Sequence, residues 1–197
     1  MGRGLGGDTL IPRAFLIVCA GLFLAQAAHA QTLTEDLGGA FALTDHTGAT
    51  RTEVDPDGQP QLLFFGYANC QEICSAVFPT MASIVDIVAE DGIALRPVMV
   101  TVDPERDTVD TMAEALHVHH PAFVGLTGTP DALQVAYDAY SVEFEELFVD
   151  PFYGTVFSHG SFIYLLDADG TVLTLLPPVL GPEMMGDIVM GYLAEAS

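Results

Sequence analysis

Phe64-Phe65-Gly66-Tyr67-Ala68-Asn69-Cys70-Gln71-Glu72-Ile73-Cys74 is the stretch that decides how this chain folds. It opens inside a short apolar run, Gln61 to Phe65, suited to a strand buried on both faces. It closes on two cysteines four apart. From Glu72 to Ala89 the apolar positions Ile73, Val77, Met81, Ile84, Val85 and Val88 recur at helical spacing, and Asp91-Gly92 ends that helix. The unit is therefore strand, turn and helix, with both thiols at the helix start.

Downstream the same alternation repeats. Ala94 to Val102 reads as a second central strand, ending at Asp103-Pro104-Glu105, where proline and acids favour a helix start. A helix through Met112 and Leu116, a short strand around Phe123 to Leu126, and a helix capped by Thr129-Pro130-Asp131 follow. Glu143 to Phe157 mixes aromatics with acids at no clean period and reads as an inserted hairpin outside the core. Ser161 to Leu166 and Val172 to Leu176 form a hairpin across Asp167-Ala168-Asp169-Gly170, and Pro182 to Ala194 a closing helix. Upstream, Phe41 to Leu43 and Arg51 to Val54 pair as an N-terminal β-hairpin around Asp45-His46-Thr47-Gly48, and Asp55-Pro56-Asp57-Gly58 is a loop. The expected class is α/β, with a mostly parallel central sheet flanked by helices. In such sheets the site lies beyond the carboxyl ends of the strands, where Cys70 falls.

Residues 1–30 read as a secretory signal rather than part of the fold. Arg3 and Arg13 precede an uncharged run from Ala14 to Ala28, and Ala28-His29-Ala30 supplies small residues for a peptidase. The apolar run is shorter than the about 20 residues of a comfortable membrane span, so export outranks an uncleaved anchor. Cys19 invites a lipoprotein reading, but Val18 is bulky for that cleavage. Residues 31–197 then form one domain, exported to the periplasm or tethered to the inner membrane if the leader is retained. Of 197 residues, 27 are acidic and five are basic, a formal charge of −22. There is no lysine, and beyond the leader only Arg51, Arg96 and Arg106 are basic apart from histidine. Such a chain repels nucleic acid and anionic lipid and attracts basic proteins or cations. Solubility in a saline environment explains the same charge.

Without Cys19, only Cys70 and Cys74 remain. A disulfide across so short a loop constrains the unfolded chain little, so reactive or metal-binding thiols explain the pair better than a structural staple. At i and i+4 on a first helical turn the sulfurs share one face, and the exposed N–H groups there favour thiolate. Two thiolates suit a soft ion such as Cu(I), and imidazole suits copper too. His159, in Ser158-His159-Gly160-Ser161 ahead of a strand, is the best candidate for a third ligand; a hydrogen-bonded structural histidine is the competing reading.

The pattern Phe64-Phe65-Gly66-Tyr67-x-x-Cys70-x-x-x-Cys74 resembles the signature of the Sco/SenC copper proteins. So do Asp103-Pro104-Glu105-Arg106-Asp107-Thr108, Gly125-Leu126-Thr127-Gly128-Thr129 and Ser158-His159-Gly160-Ser161-Phe162-Ile163-Tyr164-Leu165-Leu166-Asp167, in the family's order from about Phe41 to the C-terminus. The resemblance implies a thioredoxin-like fold with an inserted hairpin before the His159 loop. It implies one copper ion, Cu(I) or Cu(II), on Cys70, Cys74 and His159, with Cys70 and Cys74 also a redox-active disulfide pair. It further implies a chaperone that loads the binuclear copper centre of cytochrome c oxidase, its partner being the copper-bearing subunit or another copper or thiol protein. Asp103 and Tyr67 are expected as supporting residues, although a plain helix cap accounts for Asp103 nearly as well. Gln71 and Ser75 stand where the family usually has proline, and Ser158 where it commonly has aspartate. The lost prolines restore backbone N–H groups and loosen the loop, a change that bears on redox poise and copper retention.

Other chemistry is weaker. His117, His119 and His120 cluster near a helix end, where dipole complementation competes with a second metal site. Met184, Met185 and Met190 read as core packing, His46 as a surface turn residue, and Asp167 with Asp169 supply too few oxygens for calcium. No Ser-His-Asp arrangement, phosphate loop or H-E-x-x-H helix occurs. Three classes stay open: a copper carrier, a thiol–disulfide oxidoreductase using the same cysteines, and a copper- or redox-sensing partner of a membrane regulator.

Overall fold

The computed structural model describes residues 34, 36–68, 74–152 and 154–196, without the side chains of residues 74 and 75. The expected leader, Cys70 and the residues from 71 to 73 lie outside the described residues. Strands run β1 (Leu43–Asp45), β2 (Thr50–Arg51), β3 (Gln61–Gly66), β4 (Arg96–Thr101), β5 (Val124–Thr127), β6 (Phe144–Asp150), β7 (Gly154–His159), β8 (Ile163–Leu166) and β9 (Val172–Leu176). Helices are α1 (Cys74–Glu90), α2 (Val109–His117), α3 (Pro130–Ala139) and α4 (Pro182–Ala196). Among the described residues, no helix is long and apolar enough to cross a membrane.

Seven strands form one sheet in the order β2-β1-β5-β4-β3-β8-β9, and β6 and β7 form a separate two-stranded sheet. The mostly parallel expectation holds for the three central strands, β5, β4 and β3, which the α1 and α2 crossovers join. At the flanks the two expected hairpins, β1–β2 and β8–β9, join that parallel centre antiparallel, β1 beside β5 and β8 beside β3. The reason lies in the connections. No helix separates the inserted hairpin from β8, and β1–β2 and β8–β9 are joined by tight turns, so these strands reverse direction.

Every residue of β3 is buried, as the apolar run from Leu62 to Phe65 predicts, and Gln61 donates its amide to the Glu53 carbonyl. Consecutive side chains point to opposite faces. Phe64 meets Phe78 of α1 edge-on at 5.9 Å, and Phe65 meets Tyr137 of α3 at 6.1 Å. Helix α1 and the α4 helix against it thus cover one face and α3 the other, with Gly186 letting α4 approach Ile87 closely. The Asp91-Gly92 stop holds: Gly92 adopts φ 78° and its N–H donates to the Ala89 carbonyl. Thr129 caps α3 as expected, accepting from the Ala132 N–H.

One boundary is corrected. Asp103-Pro104-Glu105 does not start a helix. The N–H groups of Arg106 and Asp107 both donate to the Asp103 carbonyl, closing a turn, and α2 begins after Thr108. Thr108 is the N-cap, its N–H donating to Thr111 Oγ1 at 3.0 Å, so the cap reading of Asp103 falls.

Candidate metal centre

Strand β3 ends at Gly66, whose missing side chain has a local purpose. A Cβ there would stand 2.5 Å from Cε1 of Phe64, so only glycine lets that ring lie along the strand end. Against the ring sits His159, 5.7 Å away edge-on. Tyr67, only 4 % exposed, meets the imidazole at 5.9 Å and Phe157 at 5.6 Å. Tyr67 therefore packs in the core and borders His159 at once. The structure brings these two expected residues together at the carboxyl end of β3, beside the chain that leads to Cys70.

His159 is not in a loop, as expected from sequence, but is the last residue of β7, paired opposite Phe144. The β-favouring run Thr155-Val156-Phe157 extends the strand up to it. Its Nδ1 lies 2.9 Å from the Gly160 carbonyl oxygen. A carbonyl only accepts, so Nδ1 is the donor in this contact, which leaves Nε2 as the ring nitrogen that a metal would use. Cys74 is the first residue of α1, as its spacing suggested.

Asp103 and Asp107 both lie in the turn after β4, and Thr101 organises them. The Asp103 N–H donates to Thr101 Oγ1 at 2.8 Å, and the Thr101 hydroxyl donates to Asp107 Oδ2 at 2.7 Å. The same Asp107 oxygen accepts the Ala68 N–H at 3.0 Å, two residues before Cys70. Asp107 is 1 % exposed. Burial pushes its carboxyl up to about 6, with the Thr101 and Ala68 hydrogen bonds pulling the other way. Burial also raises Asp103, against the pull of Arg106 and with the neighbouring charge of Glu105. Arg106 Nε stands 3.8 Å from Asp103 Oδ2, and its guanidinium lies where any side chain on Gly154 would project. The turn thus grips both flanks of the candidate centre, Ala68 through Asp107 and the root of β7 through Arg106. Sequence reasoning singled out Asp103 and passed over Asp107 and Arg106. The available signal was that the family-like motif continues through Asp107-Thr108.

The other histidines do not converge. His117 faces the Phe123 carbonyl, His120 Nδ1 accepts the Ala122 N–H, and the His119 ring packs on Phe78 at 5.3 Å. His46 is more than a surface residue, since its Nδ1 accepts the Gly125 N–H and its ring meets His117 at 5.1 Å. Among the described residues no three His, Cys, Asp or Glu side chains gather as a metal site. Met185 is buried in the core as expected, while Met184 is exposed.

Residues 29–194 match the SCO1/SenC family. Protein SenC of Rhodobacter capsulatus is 35% identical over 158 residues, covering 80% of this chain and 71% of that protein. The human mitochondrial SCO2 homolog is 32% identical over 206 residues, covering 98% and 77%. Among solved structures, Arabidopsis thaliana ScoI with copper bound superposes with a TM-score of 0.76 at 26% identity, covering 81% of this chain and 99% of that one. Yeast Sco1 with copper bound gives 0.73 at 29% identity, covering 81% and 89%. The α/β sheet with its flanking helices is thus the thioredoxin-like fold of those structures. By sequence and by fold, this chain belongs to the SCO1/SenC family.

Proposed function

We propose that this protein is an exported copper chaperone that binds one copper ion through Cys70, Cys74 and His159 and passes it to the binuclear copper centre of cytochrome c oxidase during assembly. One observation carries the reading. His159 stands at the carboxyl end of β3, its Nδ1 turned to the Gly160 carbonyl, beside Tyr67, where the chain leaves for the two cysteines. Two thiolates and an imidazole form a donor set matched to Cu(I), and the copper held by the Arabidopsis and yeast relatives supports copper as the cargo. Copper binds the reduced pair only, because a disulfide between Cys70 and Cys74 withdraws both thiolates; redox state therefore gates loading. The leader of residues 1–30 directs the domain to the periplasm, where an oxidase subunit exposes its copper site.

Titration of the reduced protein with Cu(I) against a competing chelator tests this. One equivalent should bind, and Cys70→Ser, Cys74→Ser and His159→Ala should each weaken binding at least about tenfold, or about 1.4 kcal/mol. Binding indifferent to His159, together with disulfide reduction undiminished in His159→Ala, would instead make the protein a thiol–disulfide oxidoreductase.

A further inference from the structure

Next to the candidate centre lies a groove of about 320 Å³ between the turn after β4, helix α3 and the β6–β7 hairpin. Among the described residues, the carboxylates Asp103, Glu105 and Glu146 line it alongside the rings of Tyr137, Phe144 and Phe157, and no basic side chain does. Asp103 is the telling member. It is 5 % exposed, its Oδ2 accepts no hydrogen bond among the described residues, and the nearest cation, Arg106 Nε at 3.8 Å, is beyond hydrogen-bond reach. A buried carboxylate oxygen left in that condition is costly unless a donor completes it.

The ligand class follows from the walls. A hard divalent ion needs about six oxygen ligands, and no three acidic, histidine or cysteine side chains converge for a metal among the described residues. An organic cation fits better. Tyr137 and Phe144 meet edge-on at 5.0 Å and Phe144 meets Phe157 at 6.1 Å, so aromatic surface flanks the carboxylates. Such rings cover an apolar stem and attract a cationic head. The volume is at the low end of ligand pockets, about 300–1,000 Å³, which suits one long side chain rather than a peptide segment.

We propose that this groove is a socket for an arginine or lysine side chain presented by the protein with which the chain exchanges copper. The partner clause rests on the copper reading above. It draws on position: Phe157 lines the socket and touches Tyr67, which borders His159, so a partner anchored there faces the metal ligand. The surrounding charge agrees, since β6 and its approach carry Glu143, Glu145, Glu146 and Asp150 and no residue beyond Arg106 is lysine or arginine.

The test is amide-resolved NMR of the full chain, metal-free and Cu(I)-loaded, titrated with N-acetylated, methylamide-capped arginine and lysine. Capped citrulline and norleucine serve as neutral controls. Saturable shifts confined to residues around Asp103, Gln134, Glu146 and Thr155, seen with a cationic probe only and in both metal states, are expected. Asp103→Asn should weaken them about tenfold, and Glu146→Gln, at an exposed position, severalfold. Equal shifts with the neutral controls, unsaturable shifts spread over the acidic surface, or undiminished affinity in Glu146→Gln overturn the socket. Failure of Cu(I) to bind would strike the copper reading alone, because the metal-free titration decides the socket without it.

Discussion

Asp107 places a single buried carboxylate between the Thr101 hydroxyl and the Ala68 N–H, and its ionisation has a calculable effect on stability. Its folded pKa is raised from 3.8 to about 6, chiefly by burial. The folded state therefore holds its proton more tightly than the unfolded chain does. The resulting stabilisation is complete below pH 3.8 and is lost as pH rises through about 6. Asp107→Asn keeps an acceptor for Ala68 but does not ionise. Relative to the parent, the variant should gain up to about 3 kcal/mol between pH 4 and pH 7, read by urea unfolding of the reduced, metal-free protein. Parallel profiles for the two proteins would show that Asp107 does not titrate as its burial implies. This residue also marks where sequence reading stops. Cys70, Cys74 and His159 could be proposed from sequence because residue type limits which side chains ligate copper. Asp107 owes its role to a contact 39 residues away, and its place in the Asp103–Thr108 motif was the one signal of it.

Among the elements, the β6–β7 hairpin was legible as an excursion because its aromatics and acids follow neither the helical nor the strand period. That His159 would be part of its second strand was not, since strand ends depend on the partner opposite, here Phe144. Likewise the α-helical connections revealed the parallel centre of the sheet, whereas the direction of β8 depends on how the insertion returns. The hairpin root is held by Arg106 lying across Gly154, which adopts φ 79°. Gly154→Ala forces a side chain into both a left-handed backbone and the guanidinium. It should destabilise the protein by roughly 1–3 kcal/mol and weaken Cu(I) binding by displacing His159. Gly191→Ala, on an open helical position, should leave the melting temperature unchanged or slightly raised. Melts followed by circular dichroism, paired with Cu(I) competition titrations, check both; a Gly154→Ala protein with parental copper affinity would remove the hairpin root from the site. A second clamp joins the N-terminal hairpin to β4. Asp55, with a fully buried side chain, receives Arg51 Nη2 at 2.8 Å and Arg96 Nε at 3.1 Å. Asp55→Ala leaves two partly buried guanidinium groups without their shared anion and should cost about 3–5 kcal/mol in urea unfolding. A loss under about 1 kcal/mol would mean that Asp45 and Asp57, which also face these arginines, take over the pairing.

At the scale of the whole molecule, the charge distribution is set by where so few cations go. Arg51 and Arg96 share Asp55, and Arg106 sits between Asp103 and Gly154. From Asp107 to the C-terminus the chain carries acids and no arginine or lysine, and most of those carboxylates are exposed. Their mutual repulsion opposes the compact state and is screened by salt, while the Asp55 cluster, being buried, is screened far less. The two effects predict a sign. Raising sodium chloride from about 0.05 M to about 1 M shortens the screening length from above 10 Å to about 3 Å. The melting temperature should therefore rise, by about 2–4 °C for each kcal/mol of relieved repulsion. The same salt should weaken capture of a cationic side chain at the socket, so stability and partner binding move in opposite directions. A melting temperature that falls with salt would mean that the arginine clamps, rather than the exposed acids, dominate the electrostatic free energy of folding.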